Sequence, residues 1–228
     1  MQNRLREIRT FDLNFRAYES SESWAAISIA REIEQQYVFP EIELNPGDVI
    51  VDIGAHIGIF SIYYALKYPN VHIYSYEPTR RNYNNFVKSL EYNKVYNVNP
   101  HNLAVTGDGR RVEMYQPADN TGASSVFYDK TKPFQEKSEA YSVTLKDLFK
   151  EVQFQSKKIK ILKIDCEGAE YEIFEDSLNL LKDVEYIMGE LHHVPDSKFN
   201  AHLLNEKITS IVGKEKNKLT IIQTNTII

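Results

Sequence analysis

Residues 49–61 read Val49-Ile-Val-Asp52-Ile-Gly54-Ala-His56-Ile-Gly58-Ile-Phe-Ser61. The β-branched run up to Ile53 suits a strand buried on both faces, as in a parallel sheet. The glycines punctuate a turn, and Ile59 to Lys67 continues as a helix stopped by Pro69-Asn70. The apolar stretch from Val49 to Tyr68 approaches membrane-spanning length, but Asp52, His56 and Lys67 would be costly in lipid. A strand that enters a helix through a glycine turn is the first unit of an α/β fold.

The same alternation continues outward. VHIYSYE (71–77) is a second strand ending at an acid, and Arg80 to Tyr92 places Tyr83, Phe86, Val87 and Leu90 on one helical stripe. A third strand is expected near the end of 95–105, a fourth at KIKILKID (158–165), a fifth at VEYIMGELHH (184–193) and a last at KLTIIQT (218–224). Helices are expected over Glu170 to Leu181 and over Lys198 to about Val212, and Thr144 with Asp147 fits a capping box. Upstream, residues 23–36 set Ala26, Ile29, Ala30 and Ile33 at helical spacing, so residues 1–45 are expected as a helical segment packed on a core of residues 46–228. Residues 117–140 are polar and read as one long loop, a length usually kept for a functional or mobile role such as a lid. The pattern specifies a doubly wound α/β sheet, in which ligands sit at the carboxyl ends of the strands where the winding reverses.

Composition narrows the function. With 42% hydrophobic and 26% charged residues, the chain of 228 can bury one domain-sized core, which excludes disorder and coiled coil as descriptions of the whole. A net charge of −5 argues against a general nucleic-acid binder. The single cysteine, Cys166, excludes an internal disulfide and a multi-thiolate metal site. MQNRLREIRTFDLNF at the start has no apolar core, so a cytoplasmic protein is expected.

The glycine turn does not match the dinucleotide pattern G-x-G-x-x-G and carries no phosphate-binding Lys-Ser/Thr. Asp52 before the glycines would repel a pyrophosphate and would suit a cationic ligand. Glu77, closing the second strand 19 residues after Gly58, is placed to accept both hydroxyls of a ribose. A positively charged nucleoside without phosphates points to S-adenosylmethionine. Asp165 and Glu167 end the fourth strand, where they either face the ligand's reactive end or cap the next helix. Glu190 and His192 share one face of the fifth strand. A divalent ion held by Asp165, Glu190 and His192 is conceivable from ligand type, but the spacing does not demand it and no metal is expected. Cys166, between two carboxylates, is a poor thiolate.

VIVDIGAHIGIFS (49–61), SYEP (75–78), NLAV (102–105), TLKDL (144–148) and ILKIDCEGAEYEIF (161–174), in that order, resemble the FkbM family of S-adenosylmethionine-dependent methyltransferases over roughly residues 37 to 193. The K-I-D-x-E-G-A-E run is the most specific of these. The resemblance implies a Rossmann-like seven-stranded sheet and, usually, O-methylation of a sugar or polyketide hydroxyl. It implies that Asp52, Gly54, Ala55 and Gly58 line the cofactor's methionine and ribose, that Glu77 holds the ribose, and that Asn102, Leu103 and Ala104 lie near the adenine. Asp165 and Glu167 match the family's acidic pair. His56 stands where the family typically has Asn; either can donate a hydrogen bond, but an imidazolium beside a sulfonium would be unfavourable. The expected enzyme is an O-methyltransferase for a small-molecule or glycan acceptor, with Asp165, Glu167 or His192 as the base. Nucleic-acid or protein methylation and nicotinamide-dependent oxidoreduction are the alternatives.

Overall fold

The computed structural model describes residues 3–10, 12–117, 121–126, 135–153, 158–194 and 200–222. Its centre is a six-stranded sheet. In chain order these strands are β3 (Val49–Ile53), β4 (His72–Tyr76), β5 (Val98–His101), β10 (Ile159–Ile164), β11 (Val184–His192) and β12 (Asn217–Ile222). They lie in the order β12-β11-β10-β3-β4-β5, and every neighbouring pair is parallel. The resemblance implied seven strands; six are paired in this sheet among the described residues. The chain runs outward from β3 through β4 to β5, then returns to β10 beside β3 and runs out the other way. The winding therefore reverses between β3 and β10, which opens a crevice at their carboxyl ends.

Helices α1 (Ala25–Glu32), α2 (Ile59–Lys67) and α3 (Arg80–Asn93) pack on one face, and α4 (Leu145–Gln153), α5 (Glu170–Glu175) and α6 (Ala201–Val212) on the other. The alternation of β3 shows both layers. Ile50 joins the α1–α3 core while Val49, Val51 and Ile53 join the α4–α6 core. Asp52 thus points toward α2, where the Ser61 hydroxyl donates to it at 2.7 Å.

The N-terminal expectation needs correction. Residues 1–45 are not simply helical, because β1 (Asn3–Arg9) and β2 (Asn14–Ser20) form an antiparallel hairpin ahead of α1. Ile8, Phe15 and Ala17 enter the core, and the Ser89 hydroxyl accepts the Tyr18 amide of β2 at 2.8 Å. The inward position after Ala17 is Glu19, fully buried, so a charge interrupts the apolar alternation that would have marked the strand. α1 itself passes into a π-helical turn over Ile33–Tyr37.

The expected third strand is divided into β5 and β6 (Ala104–Thr106), which leaves Asn102 and Leu103 free to turn at the crevice; β6 pairs with β9 (Ser142–Thr144). The single loop expected over 117–140 is also overturned in part. Its end, β8 (Gln135–Ala140), pairs antiparallel with β7 (Val112–Pro117), and Ser125 bridges to Tyr115. β8 reads QEKSEA, a strand with little apolar alternation to betray it. Residues 118–120 and 127–134 of the expected lid lie outside the described residues. The helix expected over 170–181 is α5 followed by a 3-10 turn at Leu178–Asp183. The Thr144 capping box is present, with the Asp147 amide donating to Thr144 Oγ1 at 3.1 Å.

Candidate active site

The first turn is built by close approach. Gly54 has φ of 80°, and a Cβ there would meet the Asp165 carbonyl oxygen at 1.8 Å. Only glycine lets the ends of β3 and β10 come this near while keeping a left-handed backbone. The amides of Gly54 and Ala55 both donate to the Tyr76 carbonyl at 3.0 Å, fastening the loop across β4. His56 takes φ of 52°, a conformation that Asn and His tolerate better than most residues. Its presence at an expected Asn position is therefore consistent with the backbone.

His56 is buried. Its Nε2 lies 2.8 Å from Thr121 Oγ1, and its Nδ1 is without a hydrogen-bond partner among the described residues. Burial, aided by the charge of Lys163, lowers its pKa to about 3. The imidazole is neutral at physiological pH, so it does not oppose a cationic ligand.

Glu77 is also buried, and burial raises its carboxyl pKa despite several donors. One oxygen accepts the His56 amide at 2.9 Å. The other accepts the Thr79 amide at 2.9 Å, the Thr79 hydroxyl and Asn82 Nδ2 at 3.3 Å. A carboxylate has about four acceptor positions, so these are nearly filled. Asn102 braces the same strand end from behind, donating to the carbonyls of Glu77 at 2.9 Å and Pro78 at 3.0 Å.

Asp52 is fully buried and reaches the site through another residue. Its Oδ1 lies 3.2 Å from Lys163 Nζ on β10, its register partner. Lys163 also donates to the Gly54 carbonyl at 2.7 Å and stands 3.8 Å from Asp165. Burial alone would push its pKa down, but the charges of Asp52 and Asp165 outweigh this and hold it above the ordinary lysine range. Sequence reasoning passed over Lys163, one of two lysines in the strand IKILKI, and only its burial sets it apart from Lys160.

The Asp165-Cys166-Glu167-Gly168 turn rests on Glu170. That buried carboxylate accepts the amides of Cys166 at 2.8 Å and Gly168 at 3.0 Å, and sits 3.1 Å from His192 Nδ1. At the N-cap of α5, Ala169, there is no side-chain capping hydrogen bond; Glu170, the last acid of the K-I-D-x-E-G-A-E run, instead braces the loop that leads into the helix. His192 Nε2 faces Glu190 at 3.3 Å, Glu167 at 3.8 Å and Asp165 at 3.9 Å. Burial would lower its pKa, but the hydrogen bonds to Glu170 and Glu190 and the surrounding carboxylates raise it to about 11. Ligand atoms of Asp165, Glu190 and His192 lie within 4.8 Å of one another, a span suited to a divalent ion. With His192 protonated, however, two cations, His192 and Lys163, already face these acids. Burial and the charge of Glu170 push the Cys166 thiol well above its usual range, so it is not a thiolate.

These groups surround a cavity of about 360 Å3 at the sheet's reversal point. Gly54, Ala55, His56, Glu77, Leu103 and Ala104 border one part of it, and Asp165 and Glu167 another. Asp52, Gly58, Asn102 and His192 lie behind this lining: Asp52 acts through Lys163, Asn102 through the Glu77 backbone and His192 through the acids. Gly58 has a packing role, because a Cβ there would meet Phe86 Cδ2 at 1.9 Å. Residues of α1, Ser28, Ile29 and Glu32 among them, also border the cavity and were not foreseen as part of the site. Neutral His56, the buried acceptor Glu77 and an excess of carboxylates are chemically compatible with a cationic ligand.

Comparison with known proteins agrees with this chemistry. The family model described as the methyltransferase FkbM domain matches residues 52–211. Methyltransferase 1 of Beauveria bassiana is 25% identical over 169 residues, covering 63% of this chain and 68% of that protein. The 31-O-demethyl-FK506 methyltransferase FkbM of Streptomyces tacrolimicus is 43% identical over 42 residues, 18% of this chain and 16% of that protein. Among solved structures, M. jannaschii TYW2 in complex with AdoMet aligns with a TM-score of 0.30 at 20% identity, over 44% of this chain and 43% of that one. The extent of the domain match decides the assignment: the chain belongs to the FkbM family of S-adenosylmethionine-dependent methyltransferases.

Proposed function

We propose that this methyltransferase acts on oxygen, methylating a hydroxyl of a sugar or other small-molecule or glycan acceptor. The observation that carries this reading is one continuous cavity joining the Gly54–His56 turn and Glu77 to the carboxylates of Glu32, Asp165, Glu167 and Glu190. The bound cofactor supplies an electrophilic methyl group on a sulfonium. The Gly54–Ala55 backbone is suited to its methionine portion, Glu77 to the ribose and Leu103–Ala104 to the adenine. At Glu77 a ribose hydroxyl would take over from the long Asn82 contact, since the other acceptor positions are held more tightly.

Among the three expected bases, His192 already holds a proton at neutral pH and is better suited to fixing the acids around it. Asp165 and Glu167, which border the cavity, are the other two. Positioning of the hydroxyl beside the methyl group supplies most of the acceleration in such a transfer. The name of the Streptomyces relative, which specifies an O-demethyl substrate, supports oxygen as the acceptor atom. The net charge of −5 disfavours nucleic acid. Among the described residues no helix is long and apolar enough to cross a membrane.

The test is transfer of isotope-labelled methyl from S-adenosylmethionine to a panel of glycosides and ring alcohols, with the product bond assigned by NMR. A methyl ether is the expected product. Label found only in added RNA or protein would sink the reading.

A further inference from the structure

α1 presents two faces. Ala26, Ala30 and Ile33 are buried in the core, as the sequence spacing required. Trp24, Ala25, Ser28, Ile29 and Glu32 border the same cavity as the glycine turn. Ser28 and Glu32, one turn apart, share one side of α1, and Trp24 is the residue at the helix N-cap.

Trp24 is the chain's single tryptophan and is 62% exposed. Two arginines lie against its ring. The guanidinium carbons of Arg6 and Arg4 lie 4.3 and 4.8 Å from the ring centroid. Both arginines are anchored on buried Glu19, and Arg6 also donates to the Ser23 carbonyl at 3.1 Å. The hairpin thus fixes an indole at the rim of the cavity with much of its surface uncovered, a platform suited to a ring. Ser28, itself exposed, adds a hydroxyl to the cavity lining, and Glu32 follows one turn further along α1.

Glu32 is half-buried at the C-terminal end of α1. The charged and titratable groups that act on it are Asp165 and Lys163 from β10 and its end, Glu190 from β11, and Tyr37 from the π-helical turn. Burial, followed by the charges of Asp165 and Glu190, raises its carboxyl pKa to about 7, with Lys163 opposing. A base is most effective when its pKa lies near the working pH.

We propose that Trp24, Ser28 and Glu32 form the acceptor subsite: it takes a ring-bearing alcohol whose apolar face covers the indole, and Glu32 receives the proton of the reacting hydroxyl. This rests on the O-methyltransferase reading above. The step balances. The acceptor oxygen forms a bond to the methyl carbon as the carbon–sulfur bond breaks, the bonding pair stays on sulfur, and the hydroxyl proton passes to the Glu32 carboxylate. The subsite divides the labour of the cavity, with the sheet edge holding the donor and the N-terminal segment choosing the acceptor.

The lone tryptophan makes binding visible without turnover. With S-adenosylhomocysteine bound, alkyl and phenyl β-glycosides are titrated while Trp24 emission is followed. Saturable quenching by at least one member is expected; no quenching by any member up to 10 mM overturns the subsite. For a glycoside that is methylated, Trp24→Ala should raise KM about tenfold with a smaller change in kcat, and Trp24→Phe should recover part of it. Glu32→Gln should lower kcat by about 100-fold or more and abolish the rise of kcat through pH 7. Calorimetry with S-adenosylhomocysteine should give the same affinity for these variants as for the parent, which separates a lost acceptor site from a lost fold. If Glu32→Gln keeps the pH profile while Glu167→Gln loses it, the acidic pair is the base and the proposal fails with the O-methylation reading intact. If label goes only to protein or RNA, both fail.

Discussion

Lys163 Nζ stands 3.2 Å from Asp52 Oδ1 across the β3–β10 pair, with both side chains almost entirely out of solvent. This contact closes the sheet at the point where its winding reverses. It also leaves Lys163 in reach of the Gly54 carbonyl and Asp165, so one ammonium ties the glycine turn to the acidic turn. Removing it should be expensive, because an unpaired buried carboxylate keeps its desolvation cost and loses its partner. Lys163→Met is expected to lower unfolding free energy by about 3–5 kcal/mol in denaturant titrations. Asp52→Asn in the same background should restore part of that loss, and a Lys163→Met loss below 1 kcal/mol would show that the pair is not structural.

The second prediction concerns His192. Its pKa in the folded chain, about 11, lies above the value of about 6.5 expected when unfolded. A raised pKa means that the folded state holds the proton more tightly. The stabilisation is therefore complete below pH 6.5 and is lost as pH rises toward 11. Unfolding free energy should fall over that alkaline range, and His192→Gln should remove much of the slope. Replacing Glu170 with Gln should lower the His192 pKa, read directly from the imidazole proton shifts in an NMR titration. An unchanged pKa would mean that Glu170 does not hold the ring.

His56 behaves in the opposite sense. Its pKa is depressed to about 3, so its contribution to stability is present above pH 6.5 and disappears as pH falls toward 3. His56→Asn keeps a residue suited to φ of 52° and removes the titrating group. The variant should stay within about 1 kcal/mol of the parent at pH 7.5 and lose less stability on acidification. Calorimetry should show S-adenosylhomocysteine affinity within a few-fold of the parent, whereas a large loss would make the imidazole itself a cofactor contact.

The parts of this site that were legible in sequence are those where backbone demands are strict. Gly54 and Gly58 are forced by left-handed φ and close approach, and Glu77 and Asp165 are marked by where their strands end. The illegible parts depend on tertiary partners. Lys163 looks like a surface lysine until Asp52 is seen beside it. Glu170 reads as a first-turn helix acid, yet it accepts two loop amides and orients His192. Glu32 belongs to an ordinary amphipathic pattern, and only the path of the hairpin and α1 across the cavity gives it a role. The hairpin was hidden for the same reason, since its inward Glu19 is made tolerable by arginines from the other strand.

Glu19 therefore supplies the last test. It is fully buried and accepts the Arg6 guanidinium, the Ser23 hydroxyl at 3.0 Å and the Ala26 amide at 2.8 Å. Ser23 continues to Thr121 at 3.2 Å, and Thr121 to His56 at 2.8 Å, so a polar chain runs from the hairpin to the glycine turn. Glu19→Ala strands two arginines and the first turn of α1, and should cost about 3 kcal/mol or more on unfolding. Glu19→Gln keeps acceptors for the hydroxyl and amide while losing the charge, and should cost less. Because the same carboxylate holds the arginines that lie against Trp24, both variants should shift the emission of that single tryptophan before any global unfolding occurs. Emission that stays fixed until the main unfolding transition would show that Glu19 anchors the fold without setting the position of the indole.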